Sequence, residues 1–269
     1  MNIVKKLFSR FGNLSLKQQV RVIEMKKIVL FSTQRSGSTM VCDDLAGTNV
    51  LGRPSEYFIK LIETRNELNS DEKRNELLAI VERSSTPNGI SAVKVMSNQI
   101  QPIGQILLNS GAAEAKGPDF AFMNYFDGAR FYRITRKDKV AQAVSRILAA
   151  ETNVYHASDD SKGLEGMLGK LSKGRDETGV EYSASRIKTE IEQIRKEEHH
   201  IDNFIKKFNI PYTEIVYEEV VNNRGYIYEI AEEFDIENIV LAERRLKKIG
   251  GGVGKDWISQ YKSEMKAAC

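Results

Sequence analysis

The chain has 269 residues, 41% of them apolar and 29% charged, with a net charge of +3 at pH 7. That length is enough for one large domain with a substantial core, and the composition is ordinary for a soluble globular protein. So mild a charge argues against a nucleic-acid binder, which carries a strong basic face, and it suits an anionic small ligand. No apolar run approaches the ~18 residues that a membrane span needs.

Residues 1–25 read as an amphipathic helical extension. Ile3, Val4, Leu7, Phe8 and Phe11 recur at helical spacing, with Lys5, Lys6 and Arg10 on the other faces. Those cations interrupt the apolar core that a secretory signal requires. Two readings stand: a basic helix making peripheral contact with an anionic membrane surface, or a helix docked on the domain or on a partner subunit, the commoner use of such a face. The two cysteines, Cys42 and Cys269, read as a buried thiol and a chain-terminal one rather than a disulfide, which fits a reducing compartment. A cytoplasmic location is expected.

Residues 26–269 read as a single domain. "KKIVLF", Lys26 to Phe31, is a short β-branched and apolar run that suits a central strand covered on both faces. A helix from Ser38 to Ala46 follows, with Met40, Val41 and Leu45 inward. "GTNVLGRPSEYF" carries glycine and proline and reads as a loop with a short strand. Glu63 to Ser85 reads as surface helices, and "GISAVKVM", Gly89 to Met96, as a second strand. "ARFYRIT", Ala129 to Thr135, is a third strand. Val140, Ala141, Val144, Ile147 and Leu148 then trace a helix with Asp138 as its N-cap. Ser158 to Tyr182 is rich in Gly, Ser, Lys and Asp and reads as a lid or an insertion. A long helix over Ser183–Phe208 and a fourth strand in "PYTEIVYEEV" complete a pattern of strands alternating with helices. The fold class is α/β, a central mostly parallel sheet flanked by helices.

The turn "FSTQRSGST" stands between the first strand and the first helix. A helix N-terminus after a buried strand offers unpaired backbone N–H groups and the positive end of the dipole, where phosphate or sulfate binds readily. Gly37 lets the backbone approach a ligand. Ser36, Ser38 and Thr39 add hydroxyl donors, and Arg35 a permanent charge with a planar fork that matches tetrahedral anions. The ATP-type loop G-x-x-x-x-G-K-[ST] is absent, because both its first glycine and its lysine are missing. An ordinary Ser/Gly turn with a surface arginine is the competing interpretation.

"STQRSGSTMVCDDLAGTNVLGRPSEYF" and "RKDKVAQAVS", Arg136 to Ser145, are together similar to the two signatures of the Stf0-type bacterial sulfotransferases. The helix before "PYTEIVYEEV" adds a weaker match. The resemblance spans about Lys27 to Tyr261. Gln34 stands where that family has proline, and Asn153 and Tyr155 stand where glycine and tryptophan are common.

The resemblance implies a P-loop-like sulfotransferase fold and transfer of a sulfuryl group from 3'-phosphoadenosine 5'-phosphosulfate (PAPS) to a hydroxyl, with PAP as product. The acceptor class implied is a small carbohydrate or a glycolipid. Arg35, Ser36, Gly37, Ser38 and Thr39 would hold the 5'-phosphosulfate, and Arg35 would stabilise charge growing on the leaving group. Arg136 and Ser145 would grip the 3'-phosphate as a second, separate anion site. Lys255, in "GGGVGKDWISQYK", matches a glycine-rich loop that animal sulfotransferases close over the same phosphate; a turn before a final helix anchored by Trp257 is the alternative. Glu56 would be the general base for the acceptor hydroxyl, against an Arg53–Glu56 ion pair that only fixes the loop. Arg53, Tyr57 and His156 would bind the acceptor. No metal is required, because the transferred group carries a single negative charge. A homodimer is expected from family precedent. Two other functions compete: a nucleotide kinase or phosphohydrolase on a related loop fold, and a nucleotide-binding scaffold without catalysis.

Overall fold

The structure, a computed structural model, describes residues 25–152, 157–158, 180–244, 246–247 and 252–267. The N-terminal extension, His156 and nearly all of the 158–182 segment lie outside the described residues, as does Cys269.

Strand β1 (Lys26–Ser32) is buried on both faces from Ile28 onward. Its side chains alternate, so Val29 and Phe31 enter one core and Ile28 and Leu30 the other. Strands β2 (Ile90–Met96), β3 (Arg130–Thr135) and β5 (Tyr212–Val216) join it in a four-stranded sheet of order β2-β1-β3-β5, with every pairing parallel. The short strands β4 (Ala157–Ser158) and β6 (Leu246–Lys247) pair antiparallel in a separate sheet.

Because β2 and β3 flank β1 on opposite sides, the crossovers leave in opposite directions. A crevice therefore opens at the carboxyl ends of β1 and β3, the switch point where parallel sheets bind ligands. Helix α1 (Ser38–Gly47) buries Val41, Cys42 and Leu45 on the face that carries Ile28 and Leu30. On the other face pack α2 (Phe58–Glu63), α3 (Ser70–Ser84), α4 (Ile100–Asn109) and α5 (Pro118–Tyr125). The first turn of α3 is closed by a capping box between Asn69 and Glu72. Helices α4 and α5 occupy an interval to which the sequence reading assigned no element. They meet at Gly104, where a Cβ would come within 2.0 Å of the Pro118 carbonyl oxygen.

Helix α6 (Lys139–Thr152) follows β3, with the Asp138 carboxylate accepting the Ala141 N–H at 2.9 Å as its N-cap. Helix α7 (Ala184–Phe208) starts at the Ser183 cap and stops at Asn209, whose φ of 49° lies in the left-handed region. After β5 come α8 (Tyr217–Val220), α9 (Tyr226–Glu232) and α10 (Gly252–Ala267). Helix α10 packs Trp257 and Tyr261 against α6 and α7.

Two expectations are corrected here. The stretch "GTNVLGRPSEYF" contains no strand. It is tied to β2 by a single bond, Lys94 N–H to the Ser55 carbonyl at 3.0 Å, and to the end of α3 by another, Arg53 N–H to the Ser84 carbonyl at 2.8 Å. In addition, Gly252 to Lys255 form the first turn of α10 rather than a loop.

One buried polar cluster ties α1 to the C-terminal half. Asp44 is fully buried and accepts from Tyr226 Oη at 2.7 Å and from Arg244 Nη2 at 2.6 Å, and it pairs with Arg224 at 3.1 Å. Asp44→Ala would strand both guanidinium groups and a tyrosine hydroxyl. It is expected to cost about 3–5 kcal/mol of stability, read as a drop in the urea midpoint at unchanged slope; a midpoint like that of wild type would mean that the cluster stabilises nothing.

Candidate active site

The turn after β1 is shaped by two left-handed residues, Arg35 at φ 59° and Gly37 at φ 92°. A Cβ on residue 37 would lie 2.3 Å from Tyr217 Cδ2, so glycine is required both by the backbone angle and by the ring behind it. Arg35 is not glycine, and its conformation needs outside support. That support comes from α6. Gln142 Nε2 donates to the Gln34 carbonyl at 2.8 Å and to Thr33 Oγ1 at 2.9 Å, and Arg146 Nε donates to the same carbonyl at 3.1 Å. Arg146 is nearly buried. Burial alone would lower its pKa, but Glu197 and Glu190 outweigh burial and keep the charge firmly in place.

Thus held, Arg35 turns its side chain toward α6, where Nε donates to Ser145 Oγ at 2.9 Å. Arg136, just after β3, reaches back with Nη1 to the Arg35 carbonyl at 3.3 Å and lies over the Tyr217 ring, 4.9 Å from its centre. Lys139 Nζ donates to the Arg136 carbonyl at 2.6 Å and also pairs with Glu198. The Glu218 carboxylate, at the end of β5, accepts the Lys137 and Asp138 N–H groups at 2.9 and 3.0 Å, which fixes the turn that carries Arg136.

Arg35, Arg136 and Ser145 are therefore drawn together from positions 110 residues apart. The residues expected at two separate anion sites adjoin one another. Ser36 is fully buried and its hydroxyl has no hydrogen-bond partner; the buried Nε of Arg136 has none either. Buried donors left without acceptors are unusual. With the first-turn amides of α1, which have no acceptor within the helix, they are donors that a phosphate or sulfate oxygen could satisfy.

Glu56 lies on the segment along β2. Gly52 brings that segment close: its φ is 76°, and a Cβ there would come within 2.5 Å of Ala92 Cβ. Glu56 pairs with Lys94 Nζ at 2.8 Å, not with Arg53, so the expected alternative partner is corrected. Its other oxygen accepts Gln99 Nε2 at 3.2 Å. Burial acts to lower the Lys94 pKa, but the Glu56 charge and hydrogen bond outweigh it, and Lys94 sits above the ordinary lysine value. The stability this contributes is fully present below the ordinary value of about 10.4 and is lost as pH rises through the raised one. Cys42 is buried beside the pair, and burial pushes its thiol up to about 12, so it is a packing residue and not a nucleophile.

Arg53 is exposed and donates to Asn49 Oδ1 at 3.3 Å. The Tyr57 hydroxyl donates to the Arg53 carbonyl at 2.7 Å, so Tyr57 braces the loop. Lys255 is exposed on α10. Its neighbour Gly254 packs near Leu148, whereas Lys262 pairs with Asp138 at 2.7 Å. Helix α10 thus runs antiparallel to α6 and holds Lys255 at the end of α6 remote from Arg136. Among the described residues no three His, Cys, Asp or Glu side chains are grouped to hold a metal, and no helix is long and apolar enough to cross a membrane.

Sequence reasoning did not single out Lys94, Gln99, Gln142, Arg146 or Tyr217. The signal existed for three of them. Lys94 is a cation inside an otherwise apolar strand, and Gln142 and Arg146 are polar residues on a helix whose remaining faces are apolar.

A parallel α/β sheet with an anion turn at its switch point and no ATP-loop lysine is the architecture of the sulfotransferases. The family model described as Stf0 sulphotransferase matches residues 27–264, nearly the whole chain, and the protein belongs to that family of sulfate-transferring enzymes. The chain is also similar to the trehalose 2-sulfotransferase of Mycobacterium tuberculosis (strain ATCC 35801 / TMC 107 / Erdman), with 22% identity over 268 residues, 89% of this chain and 96% of that protein.

Proposed function

We propose that the enzyme takes its sulfuryl group from PAPS and delivers it to a carbohydrate hydroxyl, with Glu56 as the general base. One observation carries the reading: Arg35, Ser145 and Arg136 meet in a single cradle in which the Ser36 hydroxyl and Arg136 Nε lack acceptors. A donor with anions at both its 5' and 3' positions would use the α1 amides, Ser36, Ser38, Thr39 and Arg35 at one end, and Arg136 with Ser145 at the other. PAPS supplies an activated sulfate whose leaving group gains negative charge as the S–O bond breaks. Arg35, held by α6, is aimed to meet that charge without reorganising. Glu56 takes the proton from the attacking hydroxyl.

The acceptor class follows from the relative, whose name specifies trehalose. At 22% identity we extend the chemical class, a sugar hydroxyl, and not the particular sugar. Recognition of that sugar would fall to Arg53 and to His156, which lies outside the described residues.

Thermal denaturation with PAP, ATP and ADP, each with EDTA and with magnesium, tests the donor assignment. PAP should stabilise the protein in EDTA. At a hundredfold excess over Kd the gain is about 2.7 kcal/mol, several degrees for a chain of this size. Stabilisation by ATP with magnesium and none by PAP would support a nucleotide kinase or phosphohydrolase instead.

A further inference from the structure

Glu56 sits in a polar nest that the function described above does not by itself explain. Its two carboxylate oxygens are bound by different residues: Oε1 by Lys94 Nζ at 2.8 Å, and Oε2 by Gln99 Nε2 at 3.2 Å. The orientation of the Gln99 amide is fixed, because its oxygen accepts the Met96 N–H at 3.0 Å, which leaves only the NH2 to face Glu56. A carboxylate has room for about four hydrogen bonds. Two are taken by Lys94 and Gln99, and the Glu56 side chain remains 26% exposed, so there is capacity for a hydroxyl arriving from solvent.

The two donors come from the carboxyl end of β2 and the turn that follows it. Lys94 is almost completely buried on the same face as Ala92, beneath α1. Arg35 lies close enough to act on the Lys94 charge, which puts the pair beside the anion turn. The other ionisable groups facing this nest are Cys42 from α1, which interacts with both Lys94 and Glu56, and Asp43, which acts on Cys42. Tyr57 follows Glu56 in the chain and also feels Cys42. Arg35 and Lys94 are cations among these groups, and Lys94 touches the carboxylate.

We infer that Lys94 and Gln99 are positioning residues for Glu56, holding its carboxylate oriented so that it receives the proton of the acceptor hydroxyl. The inference rests on reading Glu56 as the base. In the step it serves, the hydroxyl proton passes to Glu56, the freed oxygen electron pair forms the new bond to sulfur, and the pair from the broken S–O bond leaves on the adenylate phosphate. Lys94 neither gives nor takes a proton. It holds one carboxylate oxygen, and Gln99, by holding the other, stops the carboxylate from rotating onto Lys94 with both oxygens.

The test compares transfer with donor binding. Lys94→Met should lower kcat for sulfate transfer by about ten- to hundredfold, the size of effect that a misplaced catalytic group produces, while PAP affinity stays at the wild-type level. Lys94→Arg, which keeps the cation, should recover part of the rate. Should Lys94→Met fail to fold, Gln99→Met makes the same test, with a smaller loss expected. Unchanged kcat in the variant that folds overturns the inference. So does a loss of PAP affinity as large as the loss of rate, which would assign Lys94 to the donor site. Turnover of Glu56→Gln separates the two levels: retained sulfate transfer ends the base reading and this inference with it, whereas abolished transfer with unchanged kcat in the Lys94 and Gln99 variants ends only the inference.

Discussion

Replacing Arg35 with alanine is expected to lower kcat for sulfate transfer by ~10²–10³-fold, the loss of about 3–4 kcal/mol that follows removal of one preorganised donor to developing charge. The expectation is strong because the structure spends several buried contacts on this one side chain. Gln142 and Arg146 grip the carbonyl of the residue before it, Arg136 its own carbonyl, and Ser145 its Nε. A residue so constrained is aimed before the substrate arrives, and preorganisation is what gives electrostatic stabilisation its size. Because Arg35 also forms part of the donor cradle, PAP affinity should fall as well, but by less than kcat. Lysine at this position would restore the charge and not the planar fork, so it should recover only a fraction of the rate. A loss of PAP affinity with kcat unchanged would mean that Arg35 binds the ground state as tightly as the transition state, and would remove its catalytic role.

The second large effect belongs to Glu56. Glu56→Gln keeps the shape and removes the base, and transfer from radiolabelled PAPS to a sugar should drop by ~10²–10⁴-fold while PAP still binds as before. The substitution leaves Lys94 buried without a counter-charge, and breaking a buried pair in this way costs about 3–5 kcal/mol. The assay therefore belongs at a temperature where circular dichroism shows the variant folded. Glu56→Asp supplies the control: it keeps the charge next to Lys94 but withdraws the carboxylate by one methylene, so it should fold better and still be slow. Rapid transfer by the glutamine variant would take the proton acceptor out of this segment altogether.

Much of the fold could be read from local pattern. β1 announces itself as an unbroken apolar run, and the long helix α7 carries Ile187, Ile191, Ile194 and Ile201 at regular helical spacing. Asp138 was readable as a cap because its carboxylate precedes a periodic apolar face. Helices α4 and α5 were not assigned, although Ile100, Ile103 and Leu107 have helical spacing. Pro102 and Gly104 disguise α4, and the reason for the glycine is a long-range contact with Pro118 that no local window contains.

The same division holds at the site. The anion turn was legible because a strand, a glycine and a hydroxyl-rich helix start adjoin in sequence. The direct bond from Arg35 to Ser145 was not expected, because the resemblance placed Ser145 with Arg136 at a separate site; it depends on β3 pairing beside β1. The Arg53–Glu56 pair weighed as the alternative did not form, for a physical reason. Arg53 is three positions away and favoured by proximity, but its guanidinium donates to Asn49. Lys94 reaches Glu56 instead because the backbone of β2 bonds to Ser55, the residue just before it. A buried lysine in a strand is costly unless paired, and that cost was the one signal in the sequence that something acidic had to lie opposite.

The central claim is that a single cradle, built by the β1 turn and by the start of the chain after β3, holds an adenylate by two anionic ends. Titration calorimetry in EDTA, with PAP compared against adenosine 5'-phosphate, measures this directly. The account predicts one site per chain, no need for magnesium, and a preference for PAP of at least about tenfold, the 1.4 kcal/mol that corresponds to a factor of ten in affinity and is within reach of a charge-assisted contact from Arg136. Equal affinity for the two nucleotides, or binding that appears only with magnesium, would contradict it.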